Sequence, residues 1–162
     1  MKDIMVKDIM TRPVFSVRNQ ESLKKVVKLL DQNNFSGLIV VDEEEKVTGV
    51  ISERDVLKYT RWVVGHPVKD PYKLMDDEAE AAHVSGQRGL DVIEFVATAT
   101  AETVMTVQVI KIEEDSPALD AVRLMNKHNI NRVPVVDSSG KLKGIVTRAD
   151  VLKEVEKWAK YL

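Results

Sequence analysis

The chain has 162 residues, 44% apolar and 31% charged, with a formal net charge of −2, which is the profile of an ordinary globular protein with room for one sizeable core or two half-cores. It has no cysteine, which excludes disulfides, thiolate metal sites and a cysteine nucleophile and agrees with a reducing, cytoplasmic setting. Met1–Met5 lack the long apolar stretch of a signal peptide, no apolar run approaches the roughly 18 residues of a membrane span, so none is expected, and no basic stripe of the kind that holds nucleic acid is visible.

Residues 6–58 recur 95 positions later without a gap. Met10-Thr11 returns as Met105-Thr106, Gly49 as Gly144, and Asp55-Val56-Leu57-Lys58 as Asp150-Val151-Leu152-Lys153. A fixed period means one folding unit used twice.

In chain order, each copy opens on an extended piece, Val14 to Val17 and then Val109 to Ile112. A helix follows: Leu23, Val26, Val27 and Leu30 fall on one face of a 3.6-residue period, and Ala118, Ala121, Val122 and Met125 repeat that face. Pro117 suits the first turn of the second copy's helix. The apolar, β-branched runs Leu38–Val41 and Val133–Val136 predict buried strands. Pro134 is expected at a strand start or edge, because it cannot donate to a ladder.

Polar turns at Asp42–Lys46 and Asp137–Lys141 lead to third strands, Val47–Ile51 and Leu142–Val146, and then to a final helix. That helix carries an apolar stripe, Val56, Leu57, Thr60, Val63 and Val64 in the first copy and Val151, Leu152, Val155, Trp158, Ala159 and Leu162 in the second. Such a stripe must cover the other copy or a second subunit, so a homodimer is expected.

Each unit reads strand–helix–strand–strand–helix and is marginal alone. Two of them packed sheet to sheet with pseudo-twofold symmetry give an α/β (α+β) fold. The boundaries read as residues 1–64 for the first repeat, 65–100 for a connecting segment outside the repeat, and 101–162 for the second repeat. Within the connecting segment Asp76 to His83 predicts a short helix, and Leu90 to Ala97 is apolar enough to be ordered as strand or helix.

The chemistry concentrates in Gly49-Val50-Ile51-Ser52-Glu53-Arg54-Asp55 and its echo Gly144-Ile145-Val146-Thr147-Arg148-Ala149-Asp150. A strand glycine, a hydroxyl at the strand-to-helix junction and an aspartate three residues later have two compatible readings. One is a capping box that satisfies the orphan N–H groups of the helix. The other is a nucleoside phosphate site, with phosphate at the helix N-terminus and the carboxylate on vicinal ribose hydroxyls. The glycine would admit a ligand or another backbone.

The order of these elements, the Met-Thr opening, Arg132-Val133-Pro134-Val135-Val136-Asp137 and the doubled Gly-x-x-Ser/Thr-x-x-Asp junction resemble a pair of CBS domains, a Bateman module. The resemblance covers both repeats. It implies a stand-alone, non-enzymatic regulatory module that binds AMP, ADP, ATP or an S-adenosyl-type compound and signals through a partner protein, with no catalytic cofactor and no metal.

Carried over to this chain, it implies ribose contacts at Asp55 and Asp150. Phosphate contacts would come from Ser52, Thr147 and Arg132, with Arg54 and Arg148 beside them. The adenine would meet Thr11, Val14, Thr106, Val109, Ile39 and Pro134. The first repeat departs from the pattern in having Ser36-Gly37 where the second has Asn131-Arg132, which removes a charge.

The alternative is a scaffold or dimerisation protein in which the junctions are helix caps alone. A third reading, an enzyme built on Asp76, Asp77, Glu78 and Glu80, has no nucleophile or orienting partner to support it. Glu80-Ala81-Ala82-His83 lacks the facing ligands of a bundle metal site, and His66 and His128 stand alone.

Overall fold

A computed structural model of the chain describes residues 4–64 and 97–159. In chain order the elements are α1 (Val6–Ile9), β1 (Ser16–Arg18), α2 (Leu23–Gln32), β2 (Gly37–Val41), β3 (Val47–Ser52), α3 (Glu53–Val64), α4 (Ala101–Val104), β4 (Ile112–Glu113), α5 (Ala118–His128), β5 (Arg132–Val136), β6 (Leu142–Thr147) and α6 (Arg148–Ala159). Two three-stranded sheets, β1-β2-β3 and β4-β5-β6, carry the mixed α/β class that the sequence predicts.

The periodicities explain the burial. All four predicted positions of α2, Leu23, Val26, Val27 and Leu30, lie in the core, and Ser22 caps the helix by accepting from Lys25 N at 3.3 Å. The matching face of α5 is thinner: Ala121 and Met125 are buried, while Ala118 and Val122 are half-buried. β3 alternates buried and half-buried residues, as a strand covered on one face does. One core gathers Val17, α2, Leu38, Val40, Ile51, Val56, Ala99 and Ala101; the other gathers Val6, Ile112, Ala121, Met125, Val133, Val135 and Val146.

Three details differ from expectation. The opening strands start later than Val14 and Val109. β4 reaches only from Ile112 to Glu113, because its parallel pairing is with Val135 and Val136 alone. The same shortness accommodates Pro134, which sits inside the central strand β5 rather than at a start. It pairs with Ile145 on one side, in a stretch that β4 does not reach, so no second ladder is interrupted there. Pro117 is the N-cap of α5, one position before its first turn.

On the final helices Val56 and Thr60 are buried, and Thr60 Oγ1 is satisfied by Val56 O and Leu57 O, both at 3.0 Å. Leu57, Leu152 and Val155 are exposed. The side chains of Val63, Val64, Trp158, Ala159 and Leu162 lie outside the described residues, as do Asp76 to His83 and Leu90 to Val96.

The chain forms two compact bodies. The first consists of Ser16–Val40 and Thr48–Val107, and the second of Met1–Phe15, Val41–Val47 and Gln108–Leu162. The leading segments have therefore been exchanged. In the second body Val6 N donates to Ser116 O at 2.9 Å, and Ala118 N to Ile4 O at 2.8 Å. In the first, Ala101 N donates to Glu21 O and Leu23 N to Ala99 O, both at 2.8 Å. Each leading segment thus satisfies backbone groups at the start of the long helix of the other repeat. Val6 and Ala101, at matching positions, are both fully buried.

The two hairpin turns share one design. Asp42 Oδ1 accepts from Glu44 N and Lys46 N at 2.9 Å. Asp137 Oδ1 accepts from Ser139 N at 2.9 Å and Lys141 N at 3.1 Å. Both turns need a left-handed residue at the fourth position, filled by Gly140 (φ 85°) in one and by Glu45 (φ 64°) in the other.

Candidate functional site

β3 ends at Ser52 and α3 starts at Glu53; β6 ends at Thr147 and α6 starts at Arg148. With no loop between strand and helix, the hydroxyl residue sits at the helix N-terminus, where N–H groups lack intrahelical acceptors. Asp55 Oδ2 accepts from Ser52 N at 2.9 Å and from Ser52 Oγ at 2.5 Å, while Ser52 Oγ faces Asp55 N at 3.4 Å. Asp150 Oδ2 accepts from Thr147 N at 2.9 Å and from Thr147 Oγ1 at 2.7 Å, and Asp150 N donates to Thr147 Oγ1 at 3.3 Å. These are reciprocal capping boxes. Each uses one carboxylate oxygen of its aspartate.

The second oxygen meets a threonine. Thr106 Oγ1 donates to Asp55 Oδ1 at 3.3 Å, and Thr11 Oγ1 donates to Asp150 Oδ1 at 3.2 Å. Backbone pairing sets both threonines in place. Val50 N donates to Thr106 O at 3.0 Å and Thr106 N to Val50 O at 2.8 Å; Thr11 N donates to Ile145 O at 2.8 Å and Ile145 N to Thr11 O at 3.2 Å. The Met-Thr pair is in effect a one-residue extra strand against the strand that carries the corner.

This pairing also assigns the strand glycines. A Cβ added at Gly49 would lie against Met105 Sδ and 2.8 Å from its Cγ; one at Gly144 would lie against Met10 Sδ and 2.9 Å from its Cγ. The glycines admit a methionine side chain, where the sequence pattern pointed to a ligand or a backbone. Room for the methionine lets the Met-Thr segment lie against the strand, where the backbone pairing places the threonine at the aspartate.

The structure brings together Thr11, Thr147 and Asp150 on the second body, and Thr106, Ser52 and Asp55 on the first. Asp150 is buried and Asp55 half-buried; Ser52 and Thr147 are half-buried, and Thr11 and Thr106 are exposed. Arg132 is the cross-strand partner of Thr147, and Arg148 follows Thr147 as the first residue of α6; both arginines are exposed, as is Arg54 on α3. Ile39 and Pro134 hold matching positions in β2 and β5 and are buried, while Val14 and Val109 are half-buried beyond the threonines.

At the position matching Arg132, a Cβ added to Gly37 would meet Ile51 O at 3.1 Å and the Ser52 Cα and Cβ at 3.6 Å. The missing arginine of the first repeat is thus a tight spot beside Ser52.

Among the described residues no group of three or more His, Cys, Asp or Glu is placed to hold a metal ion, and no helix is long and apolar enough to cross a membrane. His66 and Glu80-Ala81-Ala82-His83, like Asp76, Asp77 and Glu78, fall outside those residues.

The CBS domain family profile matches residues 6–61 and 101–157. An uncharacterized protein of Methanocaldococcus jannaschii is 33% identical over 156 residues, covering 93% of this chain and 90% of that protein. A second protein of that organism is 34% identical over 155 residues; that match covers 96% of this chain and 32% of the other's length. The solved CBS domain pair of protein MJ0100, in complex with 5′-methylthioadenosine and S-adenosyl-L-methionine, is 28% identical with a TM-score of 0.63, covering 95% of this chain and 97% of that one. The structure of CBSX2 in complex with AMP shares the fold at a TM-score of 0.70 and 24% identity, covering 96% of this chain and 98% of that one.

Proposed function

The chain belongs to the CBS-domain family, and from that premise we propose that it is a regulatory module, not an enzyme, that binds adenosyl ligands at its two aspartate corners. The observation that carries the reading is the second oxygen of each aspartate. Oδ2 is committed to the helix cap, whereas Oδ1 is held by one long hydrogen bond from an exposed threonine. Vicinal ribose hydroxyls are better donors for that oxygen, because they deliver two hydrogen bonds at once.

In this reading Asp55 and Asp150 hold the ribose. Ser52, Thr147 and the helix N-termini receive the 5′ substituent, with Arg54, Arg132 and Arg148 supplying positive charge. At the corner of the second body Thr11, Val14, Val109 and Pro134 flank the base of its ligand, and at the corner of the first Thr106 and Ile39 do so. The solved relative at 28% identity holds two adenosyl compounds, which supports this ligand class; AMP, ADP and ATP belong to the same class.

The module acts in the cytoplasm by population shift. A ligand that draws Asp Oδ1 away from threonine favours one arrangement of the Met-Thr segment, and a partner protein reads the difference. Leu152 and Val155 on α6, 62% and 51% exposed, pack in a twofold homodimer.

The cap-only scaffold has its own observation, the completed capping boxes at both junctions. Calorimetric titration of the full chain with 5′-methylthioadenosine and with AMP separates the two. The sensing module gives saturable binding with at least one of them; the scaffold gives none with either.

A further inference from the structure

Both corners have the same aspartate, hydroxyl and threonine, and they differ in what surrounds the place where the 5′ substituent of a nucleoside would lie. Beside Thr147 stands Arg132, its cross-strand partner, and Arg148 is the first residue of the helix. Beside Ser52 stands Gly37, and the first residue of the helix is Glu53. The next helical residues are Ala149 and Arg54. Counting the aspartate, the second corner has two guanidinium groups against one carboxylate, and the first has one guanidinium against two carboxylates.

An arginine at Gly37 would need room as well as supply charge. A Cβ there would already crowd Ile51 O at 3.1 Å, a contact tighter than side chains ordinarily make. A side chain at that point would need Ile51 O to give by a few tenths of an ångström, so the first corner is short of room there as well as acidic.

We infer that the two corners take different adenosyl ligands: the corner of Asp150 takes a 5′-phosphate, and the corner of Asp55 takes adenosine with an uncharged 5′-thioether. A phosphate placed by Thr147 gains charge-assisted bonds from Arg132 and Arg148. The same group placed by Ser52 has Glu53 in place of an arginine as the first helical residue and no arginine on the neighbouring strand, so it gains fewer charge-assisted bonds there. A thioether carries no charge and needs no donor. This division rests on the adenosyl-binding reading above and assigns a ligand class to each of its sites.

The methionines beside the threonines make natural reporters, since Met10 packs on Gly144 next to Thr11, and Met105 on Gly49 next to Thr106. The full-length wild-type chain, carrying 13C-methyl methionine, is titrated separately with AMP and with 5′-methylthioadenosine. AMP is expected to shift the Met10 methyl at concentrations about tenfold below those that shift Met105, the order of affinity contributed by one charge-assisted hydrogen bond. 5′-Methylthioadenosine is expected to shift Met105 first. Added salt should weaken the AMP response at Met10 and leave the thioether response at Met105 nearly unchanged. In Arg148→Glu the tenfold gap for AMP should shrink to less than threefold.

If both ligands favour the same methyl, or neither distinguishes the two, the division of ligands is overturned while adenosyl binding stands. If neither ligand moves either methyl, adenosyl binding itself is overturned, and the division with it.

Discussion

Thr11 Oγ1 donates to Asp150 Oδ1 at 3.2 Å although the two residues are 139 positions apart, and Thr106 Oγ1 reaches Asp55 Oδ1 at 3.3 Å across 51 positions. Had each threonine served the repeat it introduces, both separations would be 44 positions. The unequal spacings are the signature of exchanged leading segments. Each corner is completed by the Met-Thr pair that opens the opposite repeat, so neither sequence repeat holds a whole corner by itself.

The exchange makes a pair-specific prediction about packing. Gly144→Ala pushes a methyl into Met10 and should destabilise the chain by about 1–3 kcal/mol, the usual range for an overpacked core. Adding Met10→Ala should recover a large part of that loss, whereas adding Met105→Ala should not. Neighbours couple and distant sites add. Urea unfolding of the single and double variants checks this, and Gly49→Ala should show the mirror dependence, rescued by Met105→Ala alone.

Glu45 occupies a left-handed position that its twin in the second repeat fills with glycine. An ordinary residue there costs roughly 1–2 kcal/mol, partly offset because glycine loses more freedom on folding, by about 0.5–1 kcal/mol. Glu45→Gly should therefore raise stability by about 0.5–1 kcal/mol. Gly140→Ala, with the same two terms reversed, should lower it by about 0.5–1 kcal/mol. The nearest atom to an added Cβ at Gly140 is Lys46 Cγ at 4.0 Å, so the penalty is conformational rather than steric. The urea midpoints of the two variants should move in opposite directions.

Asp137 is held below the ordinary carboxylate value, first by the Ser139 hydroxyl and then by the backbone N–H groups of Lys141 and Ser139, all of which favour the charged form. A depressed folded value contributes stability above the unfolded value, and that contribution disappears as pH falls through the folded value. Ser139→Ala should move the Asp137 titration upward toward the ordinary value while the backbone bonds keep part of the shift. Carboxyl 13C titration by NMR reads this directly, and an unmoved midpoint would contradict the assignment of the hydroxyl as the main cause.

Much of this architecture is legible in the sequence because its periodicities are strong. Leu23, Val26, Val27 and Leu30 form a face that has one place to go, and all four are buried. The Ser/Thr-x-x-Asp junction is legible for a related reason: the spacing that makes a capping box also sets a carboxylate beside a helix N-terminus. The exchange is not legible. The residues that pair with Met10-Thr11 and Met105-Thr106 are strand backbones present in both copies, and a duplicated sequence does not say which copy a leading segment meets.

The four-residue helices α1 and α4 are too short to leave a periodic signal. Pro134 misled because the strand rule assumes partners along the whole of both edges, and β4 pairs with only two residues of β5. The glycines announced the approach of another backbone, which the Met-Thr segments supply. A glycine in a strand announces a close approach, but only the fold reveals that the visitor is the methionine written beside the threonine.

Thermal melting of the wild-type chain and of the Asp55→Ala/Asp150→Ala double variant, each with and without saturating 5′-methylthioadenosine or AMP, bears on the whole scheme. Ligand at about a hundredfold its dissociation constant should stabilise the wild type by about 2.7 kcal/mol. The double variant should melt lower without ligand, by about 1 kcal/mol for each weakened cap, and should show no ligand-dependent rise. A double variant that melts lower yet rises with ligand as much as the wild type would contradict ribose binding at Asp55 and Asp150 and leave the two aspartates as helix caps.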